Sequence, residues 1–447
     1  MKKLCISYSR RPISIETDHI KPSIRIPHIS LILGVKNILY TSLYLNQRVI
    51  VFLGREVYVV DMLRTAFTRF SRREPEKDPF YEMRSEEIAG RVVRGLIERN
   101  NLNPNDIDDI LVGSALQVGE QWLYGGRHVV FAARLPETIP AAAVDRQCAS
   151  SITTVVYGAL EIASGMADIV IAGGVEKMSR VPMYDNPHID INPRFTSDPE
   201  YAEYELGIGY IMGLTAEKLA EESGIGREEM DRWALISHQR AWKAYQEGYF
   251  KKEILPIEIR SSSGRMILES DQAVRPDTTL EKLLQLPPAF KPGGVITAGN
   301  SSPLSSGSAF VLLMSKEALS RYSLQPLAKI RSFAFAGVKP SVMGKGPVPA
   351  SLKALNKAGL KVRDIGLWEI NEAFAVVTLY AIKQLGIEEE RVNKRGGAIA
   401  IGHPLGATGA RIIGTLARQM VLEGVDYGVA TLCVGGGQGA SLVLERV

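Results

Sequence analysis

Cysteine is scarce in this chain: only Cys5, Cys148 and Cys433 occur in 447 residues. Thiols so far apart cannot build a disulfide framework, and without a Cys-x-x-Cys pair there is no zinc clamp. A reducing compartment, and so a cytoplasmic location, is the expectation. Long apolar runs are also lacking. None reaches the roughly 20 residues that a helical membrane span needs. No strong charge of one sign marks the body either. The net charge is +4, but residues 1–54 hold eight basic and two acidic residues, leaving 45 basic and 47 acidic for the remainder. A near-neutral body has no electrostatic footprint for nucleic acid. Residues 1–54 lack both helical period and a continuous apolar core. They read as a poorly ordered appendage rather than a targeting peptide.

From residue 55 onward the pattern is α/β. Val57-Tyr58-Val59-Val60, Ile110-Leu111-Val112 and Ile169-Val170-Ile171-Ala172 read as buried strands, with helices over residues 85–99 and 150–164. Such alternation implies a parallel sheet covered by helices. The chain also repeats itself. Leu102, Asp106, Ile107 and Ala115 recur as Leu360, Asp364, Ile365 and Ala373, each 258 positions later. The same offset carries Cys148 onto Gly406. Two copies of one unit follow: residues 55–175 plus 297–320, and residues 321–447. Between them, residues 176–296 form an inserted loop domain with helical stretches at 215–223 and 227–247 and a strand-like run from Ile254 to Ile259. Such an excursion commonly builds a substrate lid or a subunit contact.

The candidate chemistry sits where elements end. Cys148 precedes the helical run Ile152 to Ile162, so its sulfur should face free helix N–H groups that favour a thiolate. His403 alone among six histidines is flanked by glycines, in Gly402-His403-Pro404-Leu405-Gly406, where a ligand could reach it and it could take a proton. His128, His188 and His238 are expected on loops or helix surfaces. Cys433 ends a strand before Gly435-Gly436-Gly437. It is either a core-facing cysteine or a second thiol able to move a proton beside backbone N–H donors. Those glycines lack the spacing of a nucleotide fingerprint. Asn371 follows the strand Leu367 to Ile370 and either caps a helix beginning at Glu372 or holds a water or carbonyl at the site.

Cys148-Ala149-Ser150, Asn371-Glu372-Ala373-Phe374, Gly402-His403-Pro404 and Cys433-Val434-Gly435 together resemble the four signature blocks of the thiolases. Thr297-Ala298-Gly299-Asn300-Ser301-Ser302, Met343-Gly344 with Gly346-Pro347-Val348-Pro349-Ala350, and Met212-Gly213 with Thr215-Ala216-Glu217 fit as well. The resemblance spans about residues 55–447. It implies a duplicated five-layer α-β-α-β-α fold and acyl transfer between coenzyme A thioesters. In that scheme His403 deprotonates Cys148, which becomes acylated, while Cys433 moves the α-proton. One oxyanion hole would combine His403 with a water on Asn371, the other the N–H groups of Cys148 and Gly435. Met212, Phe290, Ala298 and Ser302 would contact pantetheine, and Arg275 the nucleotide end. Met343 and Phe374 would wall the acyl pocket. No metal or permanently bound cofactor is implied; coenzyme A and acyl-CoA are substrates, and a homodimer or homotetramer is expected. Acetyl-CoA acetyltransferase is slightly preferred over a longer-chain 3-ketoacyl-CoA thiolase of β-oxidation. The remaining alternatives are a ketoacyl synthase, a Cys-His-Asn protease and a non-enzymatic CoA- or lipid-binding relative. The chain departs from the pattern at Asp145, Ser151, Ile211 and Ser305-Ser306-Gly307-Ser308, which bears on pocket shape rather than on the reacting groups.

Overall fold

The computed structural model describes residues 54–261 and 264–447, so the expected N-terminal appendage, with Cys5, lies outside the described residues. The main sheet is built from β1 (Val57–Thr65), β2 (Asp109–Gly113), β3 (Ala141–Val144), β4 (Ile169–Lys177), β5 (Ile254–Leu255), β8 (Ser306–Ser315), β9 (Ala328–Gly337), β10 (Leu367–Ile370), β11 (Tyr427–Val434) and β12 (Gln438–Glu445). Its order is β10-β11-β12-β9-β1-β8-β4-β2-β3, with β5 beside β1. Outward from the centre, β1-β8-β4-β2 mirrors β9-β12-β11-β10. β2 and β4 start at residues 109 and 169, β10 and β11 at 367 and 427, so the 258-residue offset of the sequence is a spatial one. The two half-sheets pair where Tyr58 faces Lys329 and Val59 faces Ala328.

Burial explains the near-continuous apolar strands. β4 and β8 are buried along their whole lengths, because helices cover both faces. The helix Ser85–Arg99 places Ile88, Val92, Leu96 and their neighbours on β1, β4 and β8. The helix Pro347–Ala358 covers β9, β11 and β12 from the other side. Between the half-sheets lie two equivalent helices, Ser150–Ser164 and Leu405–Glu423. These are the five layers. Each central helix stops at a left-handed glycine, Gly165 (φ 82) and Gly424 (φ 66). Small residues let the central pair meet closely: a Cβ on Gly409 would lie 2.4 Å from the Ile152 nitrogen.

The segment from β4 to β8 carries the helices Met212–Ser223 and Arg227–Gln246. The run from Ile254 to Ile259 is not one strand. Ile254–Leu255 pairs in parallel with the end of β1 at Arg64 and Thr65, and β6 (Ile257–Ser261) pairs with β7 (Gly264–Leu268) as a separate hairpin. Among the described residues no helix is long and apolar enough to cross a membrane.

Candidate active site

Cys148 lies in the tight turn Gln147–Ala149, between β3 and the first central helix. Gln147 has φ 46, a left-handed conformation that non-glycine residues seldom adopt. Its N–H donates to Asp145 Oδ1 at 2.7 Å, and its side-chain Nε2 donates to the Ala115 carbonyl at 3.1 Å. The Ser150 hydroxyl closes the turn, accepting from the Arg146 N–H (3.0 Å) and donating to the Gln147 carbonyl (2.7 Å). The Cys148 sulfur accepts from the Gly435 N–H. Even so, burial pushes its pKa up to about 11, and the nearby charges of Glu176 and Asp145 push the same way. The helix N–H groups therefore do not ionise the thiol by themselves. Removal of water outweighs the helix N-terminus, and the thiol needs a base.

That base candidate is His403, which is only 4% exposed. The flanking glycines do not open it to solvent. They let the chain pass other backbone: a Cβ on Gly406 would stand 2.6 Å from the Val175 carbonyl. His403 Nδ1 is 2.7 Å from Thr408 Oγ1, Nε2 is 3.3 Å from Asn371 Nδ2, and its N–H donates to Ser305 Oγ at 3.3 Å. Burial first, and the Arg411 charge second, lower its pKa to about 3, so the ring is neutral. Asn371 Oδ1 is buried with no partner among the described residues, which leaves it able to accept from a bound water or substrate. Asn371 does not cap a helix, because the next one, Ala375–Leu385, begins after Phe374. Glu372 is instead a buried carboxylate that accepts from Trp233 Nε1, Ser237 Oγ and Asn393 Nδ2, tying the strand end to the helix Arg227–Gln246.

Cys433 is fully buried near the end of β11. Burial raises its pKa well above the usual thiol range, and the Cys148 charge adds to that, which places the two sulfurs within electrostatic reach. The following glycines differ in use. Gly436 and Gly437 make the β11–β12 turn at φ 80 and 82, while Gly435 presents its N–H to Cys148.

Phe290 and Ser302, both expected at coenzyme A, lie beside Phe374. Phe290 meets its ring edge-on at 6.0 Å and lies over Gly213, next to Met212. Ser302 bonds the Ala373 carbonyl through both N–H and Oγ. Exposed Ala298 lies in the same segment. Met343 and Phe374 belong to the apolar cluster that contains Cys433. Arg275 belongs to a different patch, where its N–H donates to His238 Nδ1 at 3.3 Å. His238 is buried in its helix rather than on a surface, a correction that helix periodicity alone could not supply.

Sequence reasoning missed three residues that hold the site. Thr408 lies five positions after His403, which puts it one helical turn below the ring. Ser305 was read only as a departure from a family pattern. Glu176, fully buried at the end of β4, accepts from the Ala115 N–H (2.8 Å) and the Gly406 N–H (2.7 Å), clamping the helix that follows His403 to the sheet. Ser151, another departure, does not line a pocket. Its hydroxyl accepts from the Ala410 N–H at 2.9 Å and joins the two central helices.

Comparison with known proteins agrees with this geometry. The thiolase N-terminal domain model matches residues 57–317 and the thiolase C-terminal domain model residues 324–446. The chain is 43% identical over 399 residues to a 3-ketoacyl-CoA thiolase of Marinobacter nauticus, covering 88% of this chain and 99% of that protein. It is 44% identical over 398 residues to one of Aliivibrio fischeri, covering 88% and 100%. Among solved structures, human mitochondrial 3-ketoacyl-CoA thiolase superposes with a TM-score of 0.79 at 34% identity, covering 88% of this chain and 100% of that one. The Bacillus anthracis acetyl-CoA acetyltransferase gives 0.78 at 35%, with the same coverage. The human enzyme has also been solved in complex with CoA. With both domain models matched in order and a duplicated sheet that brings two thiols and an imidazole to equivalent element ends, the chain belongs to the thiolase family of acyltransferases.

Proposed function

We propose that this thiolase is a 3-ketoacyl-CoA thiolase that cleaves its substrate through an acyl–Cys148 intermediate. The slight preference for acetyl-CoA acetyltransferase gives way here. The relatives at 43–44% identity carry the name 3-ketoacyl-CoA thiolase, whereas the acetyl-CoA acetyltransferase matches at 35%. The observation that carries the mechanism is the Gly435 N–H on the Cys148 sulfur, with Cys433 within electrostatic reach.

His403 Nε2 takes the Cys148 proton as the sulfur attacks the 3-keto carbon. The carbon–carbon bond between C2 and C3 breaks, and Cys433 gives its proton to C2, releasing acetyl-CoA. The Cys433 thiolate then deprotonates an incoming coenzyme A, whose sulfur attacks the acyl–Cys148 thioester. Cys148 leaves and recovers its proton from His403. Charge developing on oxygen is met by fixed donors: His403 with a water on Asn371 at one site, the N–H groups of Cys148 and Gly435 at the other. Met212, Phe290, Ala298 and Ser302 bind pantetheine, Arg275 the nucleotide, and Met343 with Phe374 wall the acyl pocket. A cytoplasmic homodimer or homotetramer belongs to the same reading. The exposed pair Trp122 and Tyr124, with ring centroids 5.4 Å apart, supports self-association.

The test is mass spectrometry after exposure to a 3-ketoacyl-CoA. Wild type should carry an acyl adduct on Cys148 and Cys148→Ala none. An adduct on another residue would overturn the assignment.

A further inference from the structure

Two residues before the nucleophile, Arg146 reaches from one half of the molecule to the other. Its main chain belongs to the first half. It joins β3 to the turn Gln147–Ala149, its N–H donates to Ser150 Oγ at 3.0 Å, and its carbonyl accepts from the Ala149 N–H at 2.9 Å. Its side chain meets the second half. The guanidinium carbon stands 3.7 Å from the centre of the Phe335 ring, on β9. That is well inside the roughly 6 Å reach of a cation–π contact, so the planar cation lies against the ring. Among the described residues no carboxylate pairs with this guanidinium, and the ring is its partner.

Phe335 is tied to the strands that carry the rest of the site. It faces Ala440 on β12, and Ala440 faces Leu432 on β11, so Phe335 lies one row from Cys433, Gly439 and Ala336. It packs on the apolar cluster that contains Cys148, Leu432 and Ala440. The turn that Arg146 enters is strained, because Gln147 is left-handed at φ 46 without being a glycine. Such a turn keeps its shape only where its surroundings over-determine it. Asp145, Ala115 and Ser150 hold it from the first half. The second half adds the Gly435 N–H at the Cys148 sulfur and the Phe335 ring two residues before it.

We propose that Arg146 is a positioning residue for the acyl transfer: stacked on Phe335, it holds the nucleophile turn in register with the second half, so that Cys148 stays at the Gly435 N–H. The inference rests on the thiolase reading above. A contact of this kind is worth roughly a 2- to 30-fold change in an equilibrium, more as water is excluded. Misplacing a reacting group costs rate rather than substrate binding.

The experiment is steady-state thiolysis of acetoacetyl-CoA and 3-ketohexanoyl-CoA by wild type, Arg146→Ala, Phe335→Leu, the double variant and Phe335→Tyr, with thermal unfolding of each. Both single losses should lower kcat about tenfold and leave KM within about twofold. The double variant should be no slower than the slower single, because one contact is removed twice. Phe335→Tyr keeps the aromatic face and should hold kcat within about twofold of wild type. Folded single variants with wild-type kcat, a loss carried by KM alone, or losses that multiply in the double variant would overturn the inference. If Phe335→Leu does not fold, Arg146→Ala against Phe335→Tyr decides the point, and equal kcat in those two overturns it. Wild type that cleaves neither substrate would instead sink the thiolase reading.

Discussion

Thr408 fixes the tautomer of His403. Its Oγ1 stands 2.7 Å from His403 Nδ1 and donates its single hydrogen to the Pro404 carbonyl at 2.9 Å. The oxygen can therefore only accept from Nδ1–H, which leaves Nε2 bare and facing the Asn371 amide. A ring buried without a carboxylate partner is thereby prepared to accept a proton at one defined nitrogen.

Thr408→Val keeps the shape of the side chain but frees the ring to protonate at either nitrogen. Thiolysis kcat should fall about 10- to 100-fold, while KM for the ketoacyl-CoA changes little. Thr408→Ser restores the hydroxyl and should recover most of the rate. Equal loss in both variants would mean that Thr408 serves packing alone.

Cys433 and Cys148 are distinguishable by what survives each removal. Cys433→Ala should still form the acetyl adduct on Cys148 when acetyl-CoA is the donor, because His403 deprotonates Cys148 and the coenzyme A thiolate, unlike a carbanion, leaves without a proton from Cys433. It should lose exchange of the acetyl-CoA α-protons with deuterated water, followed by NMR. Wild-type exchange rates in the variant would remove Cys433 from the proton path.

Glu176 sits within electrostatic reach of Cys148. Burial raises its own pKa to about 7 against the pull of the Ala115, Leu116 and Gly406 N–H groups and Gln121. When ionised it raises the Cys148 pKa. Glu176→Gln should therefore lower the pH midpoint of Cys148 alkylation, by roughly half a unit to one unit. A destabilised variant with an unmoved midpoint would show that the carboxylate acts only as a clamp.

The two-copy plan was legible because repeated strands keep their register: the offset read from Leu102 and Leu360 is the offset between β2 and β10. The reacting side chains were legible because cysteine, histidine and asparagine at element ends have few structural uses. Their supports were not. Thr408 and Ser151 look like ordinary helix residues until the second central helix arrives, and no local pattern announces that contact. The burial that opposes the helix N–H groups at the Cys148 thiol was hidden for a related reason. Helix position is visible in sequence, whereas the burial that outweighs it is a tertiary property. The glycines around His403 look in sequence like access for a ligand, and in the fold they serve close packing.

Gly174 illustrates that packing. A Cβ there would lie 2.2 Å from the Gly406 carbonyl oxygen and 2.4 Å from that of Gly113, both backbone atoms that cannot swing aside. Gly174→Ala should force β4 and the helix after His403 apart. The expected cost is about 1–3 kcal/mol of stability with a loss of kcat. Gly207→Ala is the control, since nothing lies within 4 Å of its Cβ position. Thermal unfolding of the two variants decides the point, and a neutral Gly174→Ala would contradict the close contact.

His238 gives the enzyme a sensitivity to acid that is separate from the chemistry. Burial first, then the Arg275 charge, with Arg69 adding and Asp277 opposing, lower its pKa to about 4. The unfolded chain takes a proton near the ordinary value of about 6.5, the folded one only near 4. Between those values the unfolded state binds more protons, so stability rises with pH and is lost as pH falls from about 6.5 toward 4. The slope from this group approaches about 1.4 kcal/mol per pH unit midway. His403, lowered further to about 3, acts in the same direction. His238→Gln keeps an acceptor for the Arg275 N–H but cannot protonate. Urea unfolding at pH 7.5 and 4.5 should therefore show the variant losing about 1–2 kcal/mol less than wild type on acidification. Parallel losses in the two proteins would mean that His238 is protonated in the folded state, and that the Arg69–Arg275 patch does not hold it neutral.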